Sequence, residues 1–553
     1  MQLVLAAIHI EPSPRAVPLG PAMLASALKR AFPNEIQTCI LDLFLEQPAV
    51  ACAEKILESN PDCVGLSLFV WNRTLSLEIA AILKARKSGI VLFAGGAEAT
   101  ADQAGVLADG SIDFVLPGEG EELILEAMGR LLQGATPREI AAAVKPGPVR
   151  NLATLASPYL DGTLRLQEYT GALWELSRGC PFKCDFCFES RGTAGIRRIP
   201  MDRVEAELAA FESSGIREVF VLDPTFNYHK AQAKQILRLI AKKAPDIHFF
   251  FEIRSEFIDR EMAKLFAAIH CTLQIGLQSA HDEVLRNISR SIDPKAFEAK
   301  LLLLHQAGVP YGFDLIFGLP GDSLEGFRTS LDFALSLVPN HLDIFRLAVL
   351  PGTRLAETAP NLGLQYQAGN PYHVLGSPTF SPVDMAKAAR IAQGCDVFYN
   401  QGKAVPWFDI ILEALQMTPS QVLEAFATFM EKAPAEDLTL IQRNFIVALF
   451  DDRGDALIGS IAADIISYFG YSAELLDSPI VATDSPGHQE PPARLVGFNH
   501  DPVDMLAQMQ AGTTNLEDLV CSLPPRFCEA FLCLHGGDVD IRLAPHTKLR
   551  STR

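Results

Sequence analysis

Cys180-Pro-Phe-Lys-Cys184-Asp-Phe-Cys187 follows directly on an apolar run of strand length, Leu173 to Leu176. The thiols therefore lie on a loop at a strand's carboxyl end, which is where β/α folds place their chemistry. Three thiolates at these short spacings can wrap one corner of a 4Fe-4S cubane, and a set of three leaves one iron with an open coordination position. A structural zinc site would want a fourth Cys or His nearby, and the next histidine is only His229. A zinc knuckle and incidental buried thiols are the weaker readings of the same residues.

Outward from this loop the chain repeats one unit. Strand candidates at Leu173–Leu176, Val219–Leu222, Phe249–Ile253, Thr272–Leu277, Gly312–Phe317 and Ile344–Leu350 are separated by helical stretches such as Val204–Phe211 and Ala296–His305. Six β/α units suit a partial barrel with its chemistry at the carboxyl ends of the strands. Upstream, Leu3–Ile8, Thr38–Leu41, Cys63–Leu68, Ile90–Ala94 and Asp113–Leu116 alternate with amphipathic stretches such as the one carrying Leu24, Ala27 and Leu28. Parallel neighbours need crossovers, so these five strands predict a doubly wound parallel sheet.

The expected class is thus α/β, with a Rossmann-like domain over 1–134, a Pro-rich linker over 135–169, a partial (βα)6 barrel over 170–374 and a mainly helical domain over 375–553. Within the last, Thr418, Pro419 and Gln421 form a capping box with Pro at the first helical position, and Val422, Phe426 and Phe429 follow on one face. Asp484–Pro492 reads as a polar break. By its position this domain is expected to cap the barrel and shape a substrate pocket.

Composition narrows the partners. At 553 residues, 49% hydrophobic and 20% charged, the chain has room for several well-buried domains. A net charge of -19 disfavours a phosphate backbone, so no DNA partner is expected. Met1–Ile10 is apolar without a basic run or cleavage site, and no apolar stretch reaches about 18 residues. The expected location is the cytoplasm, with no membrane partner. Eleven cysteines, an odd number with three clustered, suit metal ligation in a reducing compartment better than a disulfide framework.

The segment 170–360 resembles the radical S-adenosylmethionine superfamily, whose hallmark is a CxxxCxxC loop after the first barrel strand. The matches run in order: Arg178-Gly179 before the first cysteine, Phe186 between the last two, Asp223, Phe226 and Asn227 after the second strand, and Glu252-Ile-Arg254 in the third. Gly276-Leu-Gln278-Ser279, Phe317-Gly-Leu-Pro-Gly-Asp322 and Leu350-Pro-Gly-Thr353 follow. The resemblance implies that Cys180, Cys184 and Cys187 hold a 4Fe-4S cluster whose open iron binds S-adenosylmethionine. One electron then splits a carbon–sulfur bond to give a 5'-deoxyadenosyl radical. It further implies that Phe186, Asp223, Asn227, Glu252, Arg254, Gln278 and Ser279 contact S-adenosylmethionine. Glu252 can accept from ribose hydroxyls and Arg254 can pair with a carboxylate. Gln274 stands where relatives often carry Glu.

The N-terminal sheet resembles the cobalamin-binding domain fused to many such enzymes, through Pro18-Leu-Gly20, Pro61-Asp-Cys-Val-Gly-Leu-Ser67, Phe69-Val-Trp71-Asn72, Gly95-Gly96 and Gly118-Glu-Gly-Glu121. The implied contacts are Ser67, Phe69, Val70, Trp71, Asn72, Arg73, Gly95, Gly96, Glu98, Gly118, Glu119 and Gly120. The Asp-x-His-x-x-Gly motif that supplies a cobalt ligand elsewhere is absent, and His9 is the domain's single histidine. The resemblance then leaves the lower cobalt face to Trp71, Asn72 or Arg73. A domain of this fold that binds nothing is the competing reading.

Together these imply a cobalamin-dependent methyltransferase acting on an unactivated carbon or phosphorus centre of a small molecule or peptide. An external reductant of the flavodoxin or ferredoxin type would feed it. A non-methylating rearrangement, cyclisation or oxidation is the alternative, and a non-catalytic electron carrier or sensor is the rival of another class. No residue is assigned a catalytic proton or hydrogen transfer. Cys39, Cys52, Cys63, Cys271 and Cys395 read as core, as do Cys521, Cys528 and Cys533, whose spacings match no cluster pattern. His488 and His535 read as solvent-facing, and Lys183 as an exposed lysine beside the cluster loop.

Overall fold

The structure, a computed structural model, describes residues 1–189, 195–432 and 437–456, scattered positions between 459 and 466, and the backbone of strands at 494–499, 526–535 and 538–543. Cys521 and His488 lie outside the described residues, and nothing is described of the side chains of Cys528, Cys533 and His535.

Strands β1 (Gln2–His9), β2 (Gln37–Phe44), β3 (Cys63–Ser67), β4 (Val91–Gly95) and β5 (Phe114–Val115) form a parallel sheet in the order β2-β1-β3-β4-β5. The alternation along β1 explains why it is buried on both faces. Leu3 and Leu5 join the helices Leu19–Ala31 and Gly120–Leu132 in one core, while Val4, Ala6 and Ile8 join Ala49–Glu58 and Arg73–Arg86 in another. Reversal of strand order beside β1 opens a crevice at the carboxyl ends, the ligand position of such sheets.

A second parallel sheet runs β13-β12-β11-β10-β9-β6, with β6 at Gly171–Trp174, β9 at Glu218–Val221, β10 at His248–Ile253, β11 at Cys271–Gln278, β12 at Tyr311–Phe317 and β13 at His341–Arg346. Sequence order is kept from edge to edge, which makes an open barrel of six strands. Between β6 and β9, β7 (Ser177–Arg178) pairs antiparallel with β8 (Arg197–Arg198). This small hairpin encloses the cysteine loop. All six expected strands are present with shifted ends, each beginning earlier than the apolar run that marked it.

Residues 135–169 are not an extended tether. Val149, Leu152, Tyr159, Leu164 and Leu166 are buried in the barrel's core, and the Tyr159 hydroxyl donates to the Leu173 carbonyl at 2.5 Å. Prolines broke the periodicity here without preventing packing. After β13 a short pair, β14 (Gln365–Tyr366) and β15 (Val374–Gly376), precedes the helices Pro382–Cys395, Phe408–Leu415, Pro419–Met430 and Leu438–Asp451. These helices extend the barrel core, and Asn400 covers the sheet edge by accepting from Leu342 N and donating to Leu342 O. The C-terminal region also carries an antiparallel sheet of β16 (Arg494–Asn499), β17 (Arg526–His535) and β18 (Asp538–Leu543), unforeseen in the helical expectation. Cys52, Cys63, Cys271 and Cys395 are buried as expected, whereas Cys39 on the edge strand β2 is half-buried. Among the described residues no helix is long and apolar enough to cross a membrane.

Candidate active site between the two sheets

The carboxyl ends of both sheets meet. Gly352 after β13 has no side chain because a Cβ there would sit 3.0 Å from Phe188 of the cysteine loop and 3.4 Å from Ala101 of the N-terminal domain. Three segments of both domains thus converge on one spot.

Cys180 and Cys187 are half-buried on this loop and Cys184 is buried. The loop's shape is set by backbone bonds: Cys187 N donates to Cys184 O at 3.1 Å, Asp185 N to Ile288 O at 3.1 Å, and Leu355 N to Asp185 O at 2.8 Å. Among the described residues no three His, Cys, Asp or Glu gather around a point that would suit a single metal ion. Burial pushes the Cys187 thiol up to about 11, so the pocket alone favours the neutral thiol and coordination would ionise it.

Beneath the loop, Asp223 accepts from Leu176 N and Ser177 N and from the Ser177 hydroxyl, at 2.9, 3.0 and 2.5 Å. It pins the strand end from which the cysteines depart. Burial holds its carboxyl up at about 6 against those hydrogen bonds. Asn227 is fully buried and brackets Arg254, donating to its carbonyl at 2.8 Å and accepting from its amide at 3.0 Å. Ser279 is fully buried too, near Ser330 Oγ and accepting from His281 N. These three implied contacts therefore have structural partners already. Arg254 stacks 3.8 Å over Phe182 and pairs with Glu256, and Phe186 is half-buried against the barrel core.

Gln278 differs. It ends β11 with φ +61°, is 6% exposed, and its Oε1 is buried with no hydrogen-bond partner. A buried orphaned acceptor at a strand's carboxyl end fits a ligand that brings a donor. Glu252 faces the water-accessible hollow of the barrel, and burial, then the Glu189 charge, raise its carboxyl above the ordinary range. Both observations suit S-adenosylmethionine, which carries an ammonium and ribose hydroxyls.

Sequence reasoning missed the rest of this inner wall. Register places Glu252 beside Gln274, and Asp314 beside both Gly276 and Asp343. Gln274 Nε2 donates to Asp314 and Asp343 at 2.5 and 3.0 Å. Burial raises Asp314 to about 7, opposed by the Gln274 bond and reinforced by Glu252 and Asp343. Lone charges inside the apolar strands β12 and β13 were the available signal. Arg290 had none: its Nη1 lies 3.9 Å from Cys184 Sγ, its Nη2 donates to Gly276 O, and its Nε is buried without a partner. Leu222 and Phe345, 45% and 52% exposed on strand-end positions, leave apolar surface in want of cover.

On the other sheet the carboxyl ends of β3 and β4 come close. Gly96 adopts φ +96° and a Cβ there would meet Leu68 O at 2.6 Å, which excludes any other residue. Of the three lower-face candidates, two are occupied. Asn72 is fully buried, donating to Ile8 O and Ser67 O and accepting from Phe69 N. Arg73 pairs with Glu98 and Asp102 and donates to Tyr372 Oη. Trp71 donates through Nε1 to Ile8 O at 3.4 Å but keeps its ring 47% exposed, stacked 4.5 Å from Phe69 at 3°. The pair forms a flat, partly exposed aromatic surface on the loop after β3. His9 is engaged with Asp42 at 2.7 Å. Gly118, Glu119 and Gly120 stand at the β5 end, and the Glu119 carboxylate turns away to Arg178 and Arg197 of the barrel.

An open barrel with a three-cysteine loop thus meets a 2-1-3-4-5 sheet that carries an exposed aromatic pair. The model of the radical SAM superfamily matches residues 174–334, and that of the B12 binding domain matches residues 7–127. The chain thus carries a radical SAM domain and a B12-binding domain, which imply a 4Fe-4S cluster, S-adenosylmethionine and cobalamin. It is 26% identical over 347 residues to the cobalamin-dependent radical SAM methyltransferase TokK of Streptomyces tokunonensis, a match covering 57% of this chain and 50% of TokK. The chain thus spans about half the length of that curated relative. Its fold is shared with the radical S-adenosylmethionine methyltransferase TsrM of Kitasatospora setae with cobalamin and [4Fe-4S] cluster bound, at TM-score 0.56 and 16% identity over 82% of this chain and 99% of that one. It is likewise shared with the cobalamin-dependent S-adenosylmethionine radical enzyme OxsB with aqua-cobalamin bound, at TM-score 0.57 and 14% identity over 92% and 84% of the two chains.

Proposed function

We propose that this protein is a cobalamin-dependent radical S-adenosylmethionine methyltransferase that methylates an unactivated carbon or phosphorus centre of a small molecule or peptide. The carrying observation is the convergence of the cysteine loop at Phe188, the β13 end at Gly352 and the N-terminal domain at Ala101 on one spot where the two sheets' carboxyl ends meet. The likeness to TokK and TsrM, both named as methyltransferases, supports the reaction class. When bound, the cofactors supply the methyl group, the electron and the radical.

The chain's own part is placement and exclusion. Cys180, Cys184 and Cys187 would hold the cluster, with the Arg290 guanidinium against Cys184 offsetting thiolate charge. Gln278 Oε1 and Glu252 would accept from S-adenosylmethionine, and Trp71 would lie under the corrin. Leu222 and Phe345 would be covered by substrate, keeping water from the radical. Because Asn72, Arg73 and His9 are engaged elsewhere, Trp71 is the residue among these that would face the corrin. An external flavodoxin- or ferredoxin-type reductant and a cytoplasmic setting complete the reading.

Anaerobic incubation of the reconstituted protein with methyl-labelled S-adenosylmethionine and substrate should yield 5'-deoxyadenosine, S-adenosylhomocysteine and labelled product. Cys184→Ala should abolish all three. Deoxyadenosine without methyl transfer on the native substrate would instead favour a rearrangement, cyclisation or oxidation.

A further inference from the structure

Two polar bridges join the domains, and each runs from the loop assigned to one cofactor to the domain assigned to the other. The first begins on β7, just ahead of Cys180. Arg178 Nε donates to Glu175 at 2.8 Å within the barrel, while Nη1 and Nη2 cross to Glu119 at 3.2 Å and Glu121 at 2.5 Å. Arg197, on the partner strand β8, donates to Glu119 at 2.8 Å through Nη1 and again through Nη2. One carboxylate of the N-terminal domain therefore accepts from both strands of the hairpin that encloses the cysteines. It is fixed in turn by Val149 N at 2.8 Å.

The second bridge runs the opposite way. Arg73, two positions after Trp71, donates to Glu98 at 2.6 Å and to the Tyr372 hydroxyl at 3.0 Å, and Tyr372 itself donates to Glu98. Asn370 adds a bond to Val70 O at 3.3 Å. Both bridges are largely buried: Arg178 and Arg73 are 12% exposed, Glu121 7% and Glu98 2%, while Glu119 and Arg197 keep about a fifth of their surface, at 21% and 20%.

Desolvating so many charges makes such networks poor sources of net stability compared with apolar packing, whereas their directional, multidentate bonds fix register. We propose that Glu119 and Tyr372 are positioning residues that hold the cysteine loop and the Trp71 loop in register across the domain boundary. The bridges set the cluster's placement relative to the corrin. Glu119 thereby exchanges a contact with cobalamin for a role acting through Arg178 and Arg197. The inference rests on the two-cofactor reading above.

The full-length protein, reconstituted with iron, sulfide and cobalamin, provides the test by electron paramagnetic resonance. In the native protein, reducing the cluster should speed the spin relaxation of cob(II)alamin, because the two paramagnets are held close. Glu119→Gln and Tyr372→Phe should keep iron content and corrin absorption but lose most of that enhancement, and Glu119→Asp, which retains the charge, should restore it in part. A merely structural role would change stability or loading and leave the relaxation of loaded protein untouched. If Glu119→Gln fails to load iron, Tyr372→Phe, which removes none of the Arg178 and Arg197 bonds, carries the decision. Native relaxation in the loaded variants overturns the inference, while a native protein without corrin bands or cluster signal overturns the two-cofactor reading instead.

Discussion

Trp71, Asn72 and Arg73 adjoin in sequence and do three different things. The exposed indole has surface to give to a ligand, the buried carboxamide satisfies the turn between β3 and the next helix, and the guanidinium bridges domains. Trp71→Ala should weaken cobalamin binding by about 1.5–3 kcal/mol, roughly 10- to 100-fold, in an absorbance titration, with little change in stability. Asn72→Ala should do the reverse, lowering stability by about 1–3 kcal/mol as Ile8 O, Ser67 O and Phe69 N lose their partner. Asp314 offers a pH test. Its native carboxyl titrates at about 7 instead of 3.8, so between those values the unfolded chain ionises while the fold keeps the proton. Stability contributed by the neutral acid is complete at low pH and is lost as pH rises towards 7. Thermal denaturation should therefore show Asp314→Asn more stable than the native protein at pH 8 and near parity at pH 4.

At the scale of elements, local signals were legible wherever one short segment fixed its own geometry. Thr418-Pro419-Ser420-Gln421 specifies a helix start by itself, and the structure has the reciprocal box, with Thr418 Oγ1 accepting from Gln421 N and Gln421 Oε1 from Thr418 N. Thr418→Ala should cost about 1 kcal/mol in chemical denaturation, and no loss would mean that the box is idle. Segment 135–169 went the other way: its prolines hid residues whose burial is decided by the barrel they pack on. The cysteine loop was legible because its three ligands lie within eight residues of chain. Glu252, Gln274, Asp314 and Asp343 meet only through strand register, and Arg290 reaches Cys184 across the sheet from another loop.

Across the whole molecule, the N-terminal sheet has two apolar cores of its own, while Leu19, Ala22 and Met23 of its first helix join the barrel's. Stripping the iron with a chelator should accordingly leave the corrin spectrum of the cobalamin-loaded protein in place; joint loss of both cofactors would contradict separate sites. What the sequence settled by itself was local: strand and helix periods, the order of the domains, and a trio of thiols whose spacing is a property of one loop. The tertiary structure decided which polar groups remain open. Asn72, Asp223, Asn227 and Ser279 look like ligand contacts in a string of letters, yet their hydrogen bonds are already taken within the fold, whereas Gln278 Oε1 has no partner and the Trp71 ring stays exposed although its Nε1 donates to Ile8 O. That distinction depends on three-dimensional proximity between residues far apart in the chain, which no local pattern encodes.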